Sequence, residues 1–78
     1  MRVESFGRRA IQVIDFDDVS GEHVVEFVDQ AMVDSGAIIA VYPSGDYWVE
    51  TRVSISPRHD GVSVKFLEWA LGVTEELI

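Results

Sequence analysis

The sequence predicts an α+β fold, a two-layer sandwich in which two helices cover one face of an antiparallel sheet of three to four strands. The expected order is strand, helix, strand, strand, an additional strand under one of two interpretations, and helix. The first observation is that apolar and polar side chains alternate over residues 47–56, as in a strand with one dry and one wet face. A sheet with one face in water is normally antiparallel. The second observation is helical spacing of apolar residues over residues 22–35.

The length of 78 residues predicts a single domain, residues 1–78, with a small core. Hydrophobic residues make up 47% of the chain, which supports one core and argues against disorder. The absence of cysteine excludes disulfides and thiolate metal sites. No apolar run approaches the roughly 20 residues that cross a bilayer, and the first nine residues lack a signal-peptide core. We therefore expect a soluble, cytoplasmic protein.

The balance of charge restricts the class of partner. Fourteen acidic residues against six basic ones give a net charge of −8. A surface this negative repels nucleic acid and anionic membranes, so neither is expected as a partner. The charge either serves solubility alone, as in many small domains, or forms an acidic face that meets a basic protein.

One central strand precedes the first predicted helix. Residues 1–6 alternate weakly and form either a short edge strand or a loose arm. Residues 10–16 are apolar on both faces, which is typical of a strand inside a sheet. Ile11 and Val13 point to one side, whereas Ala10, Ile14 and Phe16 point to the other.

The predicted helix over residues 22–35 has suitable ends. Ser20 can cap its start, because a serine hydroxyl accepts from a free backbone N–H of the first turn. Gly36 follows the last turn, where a left-handed residue belongs. The expected inner stripe consists of Val24, Phe27, Val28, Ala31 and Ser35.

The outer face of this predicted helix is acidic. Glu22, Glu26 and Asp29 project together without a neighbouring lysine or arginine, and Val33 is exposed within the same band. Like charges four residues apart destabilise a helix by ~0.2–0.5 kcal/mol per pair. A solvated face is the simple interpretation. A helix that lacks every compensating cation is also a candidate binding surface.

A hairpin is expected in the middle of the chain. Residues 37–42 are apolar on both faces and predict a second central strand. Residues 43–46 contain the proline and glycine of a tight turn, and the strand over residues 47–56 follows at once. A strand, a short turn and a strand predict antiparallel pairing.

The C-terminal region has two interpretations. A helix over residues 62–71 would have an apolar arc wider than half its circumference, which is poor for a surface helix. Alternatively, residues 62–66 form a strand after an Asp60–Gly61 turn, and residues 67–78 form a helix with a clean apolar face. We favour the second interpretation, although Gly72 then costs the helix ~1 kcal/mol.

The sequence contains weak signals for chemistry. Asp15, Asp17 and Asp18 are the one acidic cluster that could hold a hard cation such as Mg²⁺, but no phosphate loop or nucleophile accompanies them. Aspartates before a helix more often serve as turn or cap residues. His23 and His59, the latter beside Asp60, are best interpreted as solvated loop residues. No metal, cofactor or catalytic residue is therefore assigned.

Trp48 falls on the wet face of its predicted strand, with Arg52 on the same face. Tryptophan and arginine are enriched in protein interfaces, so this pair suggests a contact patch. The alternative is that Trp48 packs beneath the N-terminal arm or an edge strand.

These observations favour a small, non-enzymatic protein-binding module, an inhibitor or adaptor that presents an acidic helix face to a basic partner such as a nucleic-acid-binding protein. The acidic band would mimic nucleic acid, as in small acidic phage-type inhibitors, although no motif places the chain in such a family. The alternatives are a self-associating subunit, such as a homodimer, and a metal-dependent enzyme that uses the aspartate cluster. The expected partner-binding residues are Glu22, Glu26, Asp29, Val33, Trp48 and Arg52.

Overall fold

The computed structural model describes residues 2–44, 46–59 and 61–78. These residues form a five-stranded antiparallel sheet, one α-helix and two short 3₁₀ segments. The strands are β1 (Arg2–Phe6), β2 (Arg9–Asp17), β3 (His23–Asp29), β4 (Ile39–Tyr42) and β5 (Arg52–Ile55). The helix is α1 (Val64–Leu77), and the 3₁₀ segments are Gln30–Ser35 and Trp48–Glu50.

The sheet is a meander, because the strands lie side by side in chain order and each is antiparallel to the one before it. The connections favour this arrangement, since the longest of them, residues 30–38 and 43–51, are still too short for the crossover that parallel neighbours require. The β2–β3 hairpin turns through Val19, Ser20 and Gly21. The N–H of Gly21 donates to the carbonyl of Asp18 at 2.9 Å, and Gly21 has a φ of 84°, which favours glycine.

Helix α1 covers one face of the sheet, which we call the helix face. Alternation along the strands places the most deeply buried residues on this side. The residues that α1 contributes to the core lie one turn apart along a single stripe. The core consists of Ile11, Val13, Val25, Phe27, Ile38, Ile39, Val41, Phe66, Ala70 and Val73.

The start of α1 is fixed by a cap and by aromatic packing. Ser63 is the N-cap, and its hydroxyl accepts from the N–H of Phe66 at 3.0 Å. The Phe66 ring lies 5.1 Å from the ring centroid of Phe6 on β1 and 5.6 Å from that of Trp69. Trp69 lies 5.8 Å from Phe27 in an edge-to-face arrangement. The helix is thereby attached to the edge and to the middle of the sheet.

The predicted α+β class and antiparallel sheet are confirmed, but the described residues form five strands instead of three to four, and one α-helix instead of two. The helix predicted over residues 22–35 is wrong. Residues 23–29 are β3, and the 3₁₀ segment follows. The apolar residues of this stretch satisfy a period of 3.6 and a period of 2 equally well. As a strand, the segment pairs with β2 and β4 along both edges, and these non-local backbone hydrogen bonds decide the conformation.

In the C-terminal region the strand predicted over residues 62–66 is wrong, whereas the helix predicted over residues 67–78 is found as part of α1, which begins earlier, at Val64. The rejected alternative, a helix with a wide apolar arc, is closer to the structure. The arc is wide because α1 packs on a sheet and on the aromatic side chain of Phe6 at once. The Asp60–Gly61 turn involves Asp60, which lies outside the described residues.

The remaining strands are found with altered bounds. Residues 2–6 form an edge strand rather than a loose arm, and the strands predicted over residues 10–16 and 37–42 are confirmed as β2 and β4. The strand predicted over residues 47–56 is confirmed only as β5, because residues 48–50 form a 3₁₀ turn. Two hydrogen bonds hold that turn. The N–H of Tyr47 donates to Ser44 Oγ, and the N–H of Ser44 donates to Thr51 Oγ1. Met1 and Gly45, included in two predicted elements, lie outside the described residues.

Candidate functional site

The face of the sheet opposite α1 is the largest candidate site, and we call it the open face. Strand alternation assigns each residue to a face, and the pairing register aligns residues of neighbouring strands into rows. Two rows cross the middle of this face from β2 to β5. They are Phe16–Val24–Tyr42–Arg52 and Ile14–Glu26–Ala40–Ser54.

The first row, which we call the aromatic row, lies at the end of the sheet that carries the β2–β3 hairpin. Phe16 pairs with Val24 across β2 and β3, and Tyr42 pairs with Arg52 across β4 and β5. Phe16 is 37% exposed, whereas Val24 between the two aromatic side chains is 3% exposed. The row therefore has a closed middle, an exposed Phe16 and a partly buried Tyr42.

Arg52 is held in place at the end of the aromatic row. Its guanidinium carbon lies 5.1 Å from the ring centroid of Tyr42, within the range of a cation–π contact. Its Nη2 forms an ion pair with Glu22, which precedes β3. This ion pair joins the β2–β3 hairpin to β5, although the two residues are thirty positions apart in the sequence.

Exposed apolar side chains continue from the aromatic row into the two connections at the same end of the sheet. Val19 is fully exposed at the tip of the β2–β3 hairpin. Tyr47 is exposed and Val49 is 89% exposed in the β4–β5 connection. We call Val19, Tyr47 and Val49 the loop-tip residues. Because the Glu22–Arg52 ion pair links the two connections, they form one end of the molecule.

The second row contains the carboxylate of Glu26. Glu26 lies opposite Ile14 on β2 and Ala40 on β4, and its side chain is partly buried. Val24 and Val28, the next residues of β3 on this face, are 3% and 7% exposed. Among the described residues, no lysine, arginine or histidine lies within ion-pair distance of Glu26. A carboxylate thus stands in an apolar setting without an ionic partner from this part of the chain.

The structure brings together only some of the residues that the sequence assigned to partner binding. Glu22, Glu26 and Arg52 lie on or beside the open face, and the partly buried Trp48 belongs to the neighbouring 3₁₀ turn. The continuous acidic helix face is not formed, because the segment is a strand. Trp48 is likewise not on a strand face.

Asp29 and Val33 lie elsewhere. Asp29 is 5% exposed on the helix face, and its Oδ2 accepts from Arg9 Nε at 3.0 Å and forms an ion pair with Nη2 at 2.9 Å. Its Oδ1 accepts from the N–H of Ala31 at 2.9 Å, so Asp29 caps the 3₁₀ segment that contains the exposed Val33. The role of Asp29 visible in the structure is structural.

The aspartate cluster suggested for a cation is arranged around His23. His23 is a residue of β3 rather than of a solvated loop, with Nε2 at 2.5 Å from Asp15 and Nδ1 at 2.9 Å from Asp17. The two carboxylates face opposite nitrogens of the ring, so their lone pairs do not converge with the imidazole on one point, as metal ligands must. No metal-binding group of three acidic, histidine or cysteine residues is found in residues 2–44, 46–59 and 61–78.

Asp18 stabilises the β2–β3 turn. Its Oδ1 accepts from the Ser20 hydroxyl at 2.5 Å, from the Ser20 N–H at 2.8 Å and from the Glu22 N–H at 3.2 Å. The hydrogen bond from the Ser20 hydroxyl, followed by those from the two N–H groups, lowers the pKa of Asp18 below its ordinary value. The predicted role as a turn residue is therefore confirmed for Asp18.

Two small cavities lie beside the histidines on the helix side. One, of about 260 Å³, is lined by His23, Pro43, Leu77 and Ile78. The other, of about 130 Å³, includes His59, whose Nε2 is buried without a hydrogen-bond partner among the described residues. Asp60, the suggested partner of His59, lies outside them. Ser63 also lines the second cavity, but its hydroxyl caps α1, and no hydrogen bond joins it to His59 within the described part of the chain.

The sequence does not identify Phe16, Ile14 and the loop-tip residues as site residues. A signal was present, because strand 10–16 has two apolar sides and only one of them can lie beneath a single helix. The sequence prediction placed two helices on one face and left the second apolar side of β2 without an assignment.

Of the helical segments in the described ranges, none has the length and hydrophobicity needed to cross a bilayer. In comparisons with protein-family models, with curated proteins and with solved structures, nothing matched this chain.

Proposed function

We propose that this chain is a small, non-enzymatic protein-binding module of the cytoplasm that receives its partner on the open face of the sheet. The observation that carries the proposal is the aromatic row on the face opposite α1, where Phe16 is exposed and Tyr42 partly buried, continued by the exposed loop-tip residues. The cysteine-free sequence fits the reducing cytosol.

The composition of the open face supports a contact role. Single exposed apolar residues are normal on any protein, whereas a contiguous group is typical of an interaction surface. Here Phe16, Tyr42 and the loop-tip residues lie at one end of the sheet, together with Arg52. Aromatic residues and arginine are enriched in interfaces, and here Phe16, Tyr42 and Arg52 project from strands.

The charge of the chain supports a basic partner. The net charge of −8 produces long-range attraction to a positive surface and accelerates encounter with it. Asp46 and Glu50 of the β4–β5 connection are exposed beside Tyr47 and Val49. An inhibitor or adaptor that occupies the basic groove of a nucleic-acid-binding protein fits this combination of apolar centre and acidic rim.

Capture of the partner tests the proposal. The tagged chain is used to isolate binding proteins from an extract of the source cell, which are quantified by mass spectrometry. The double variant Phe16→Ser, Val19→Ser should lose the protein that the wild type enriches. Val64→Ser is the matched control, because Val64 is 70% exposed in the first turn of α1, away from the open face. Equal enrichment by both variants, with both folded by circular dichroism, would contradict the proposal.

A homodimer is the second candidate, and one feature favours it. β1 and β5 are the edges of the sheet, and β5 carries the exposed Ile55. An exposed edge strand can pair with a second copy. Two copies would each bring a charge of −8, so this association should strengthen with salt, whereas binding to a basic partner should weaken. Light scattering at low and high ionic strength distinguishes the two.

A further inference from the structure

We infer that Glu26 is the receptor for a single guanidinium group, supplied by an arginine that the partner presents among apolar side chains. The inference rests on the proposed function, since it requires the open face to be the contact surface. It adds the chemical identity of the group at the centre of the contact.

The first argument for this inference is the position of Glu26 among its neighbours. Glu26 has apolar neighbours on four sides, with Ile14 and Ala40 beside it on the neighbouring strands and Val24 and Val28 along β3. Both valines are almost fully buried, whereas Glu26 is only partly buried. The uncharged Gln12 lies diagonally from it on β2, opposite Val28. Glu26 is therefore a carboxylate with apolar nearest neighbours in the middle of the open face.

The second argument is the distribution of the basic side chains. The chain has six lysines and arginines, and in the structure none of them pairs with Glu26. Three of the arginines form ion pairs with other carboxylates, and Arg58 donates to the carbonyl of Asp34 at 3.5 Å. The pairs are Arg2 with Glu4 and Glu76, Arg9 with Asp29, and Arg52 with Glu22. Arg8 lies in the β1–β2 turn and Lys65 in the first turn of α1.

The third argument is the energetic cost of burying the Glu26 carboxylate beneath a partner. A partner that covers the open face removes water from Glu26, and a carboxylate that loses its water without gaining a cation is strongly unfavourable. An arginine offers two parallel N–H donors that match both carboxylate oxygens, together with a planar surface that tolerates apolar and aromatic neighbours. Phe16 lies two residues from Ile14 on the same strand face and can supply such a neighbour. The geometry thus favours arginine over lysine.

The probe for this inference is a pair of acetylated, amidated pentapeptides with leucine at every flanking position. One carries arginine at the centre, and the other carries citrulline, its uncharged isostere. Binding to the ¹⁵N-labelled full chain is followed by amide shifts on the open face. The arginine peptide should bind about tenfold more tightly than the citrulline peptide.

Variants separate the inference from the proposed function. Glu26→Gln should remove the preference for arginine, and the control Glu68→Gln, an exposed acid of α1, should retain it. Phe16→Ser should weaken both peptides alike. Equal binding of the two peptides, no shift on the open face, or a preference that survives Glu26→Gln would overturn the inference. The capture experiment with Phe16→Ser, Val19→Ser does not involve Glu26, so the proposed function can stand if the inference falls.

Against the natural partner, Glu26→Gln should lower affinity by about 30-fold or more, because one member of a desolvated charge pair is lost. The loss should reside mainly in the dissociation rate, measured by surface plasmon resonance. A change in the association rate alone would indicate a rim charge and contradict the inferred central position.

Discussion

The two faces of the sheet have similar side chains in different surroundings. On the helix face, Ile11, Val25 and Phe27 lie fully buried beneath α1. On the open face, Phe16 and Val3 remain exposed although they belong to the same or the adjacent strand. The difference teaches that apolar residues of one strand can serve two purposes. Substitutions on the helix face should reduce stability, and substitutions on the open face should reduce binding.

The largest expected effect is on the helix face. Phe27→Ala should destabilise the fold by about 3–5 kcal/mol, because a fully buried ring that packs edge-to-face on Trp69 is removed. A domain of this size has a stability of roughly 4–12 kcal/mol, so the variant should be partly unfolded. Urea unfolding followed by circular dichroism measures the change. A loss below about 1 kcal/mol would show that the faces are not as different as the structure indicates.

The next effect separates a structural acid from a binding acid. Asp29→Ala should cost about 2 kcal/mol, because a buried carboxylate that accepts from Arg9 and from the N–H of Ala31 is lost. Glu26→Ala, with no ion pair to lose among the described residues, should change the free energy of unfolding by well under half that amount. Thermal melts of both variants make the comparison. A larger loss of stability for Glu26→Ala than for Asp29→Ala would contradict the structural role of Asp29 and the binding role of Glu26.

A smaller effect of opposite sign is expected in α1. Gly72 is exposed in the helix interior, and a Cβ at this position would have no neighbour within 4 Å. Gly72→Ala should therefore stabilise the chain by about 0.5–1 kcal/mol through higher helix propensity. Gly21→Ala is the contrasting control, since a φ of 84° makes it strained and destabilising. Partner binding at the open face should be unchanged by Gly72→Ala.

The smallest effect concerns pH. The Ser20 hydroxyl is the main cause of the lowered pKa of Asp18, so Ser20→Ala should move this pKa up towards its ordinary value. Because the folded-state pKa is depressed, the contribution of Asp18 to stability is present above the ordinary pKa and is lost as the pH falls through the lowered one. Carboxyl ¹³C titration of wild type and Ser20→Ala tests this, with Ser5→Ala as control. An unchanged pKa would contradict the turn geometry.

Local patterns predicted much of the sheet, but two segments required information that is not local. Residues 23–29 satisfy the helical and the strand period together, and only the neighbouring β2 and β4 decide between them. A helix over residues 62–71 was disfavoured because its apolar arc is wider than the narrow stripe expected of a surface helix. The actual helix packs across a sheet and against Phe6, which requires a wide apolar arc.

The candidate site was predictable in part. Glu22, Glu26 and Arg52 were named from charge and composition, and they do lie on or beside one face. Their arrangement could not be predicted, because the Glu22–Arg52 ion pair joins positions that are distant in the sequence. Phe16 could not be recognised as a site residue, because an apolar residue in a strand is ordinarily assigned to the core.

The most direct test of the account is cross-saturation NMR on the complex of the ²H,¹⁵N-labelled chain with the captured, unlabelled partner. Irradiation of the partner should reduce the amide signals of Phe16, Val24, Glu26, Tyr42 and Val19 and leave the exposed positions of α1, such as Glu68 and Glu75, unaffected. Saturation confined to α1, with the open face silent, would contradict the account.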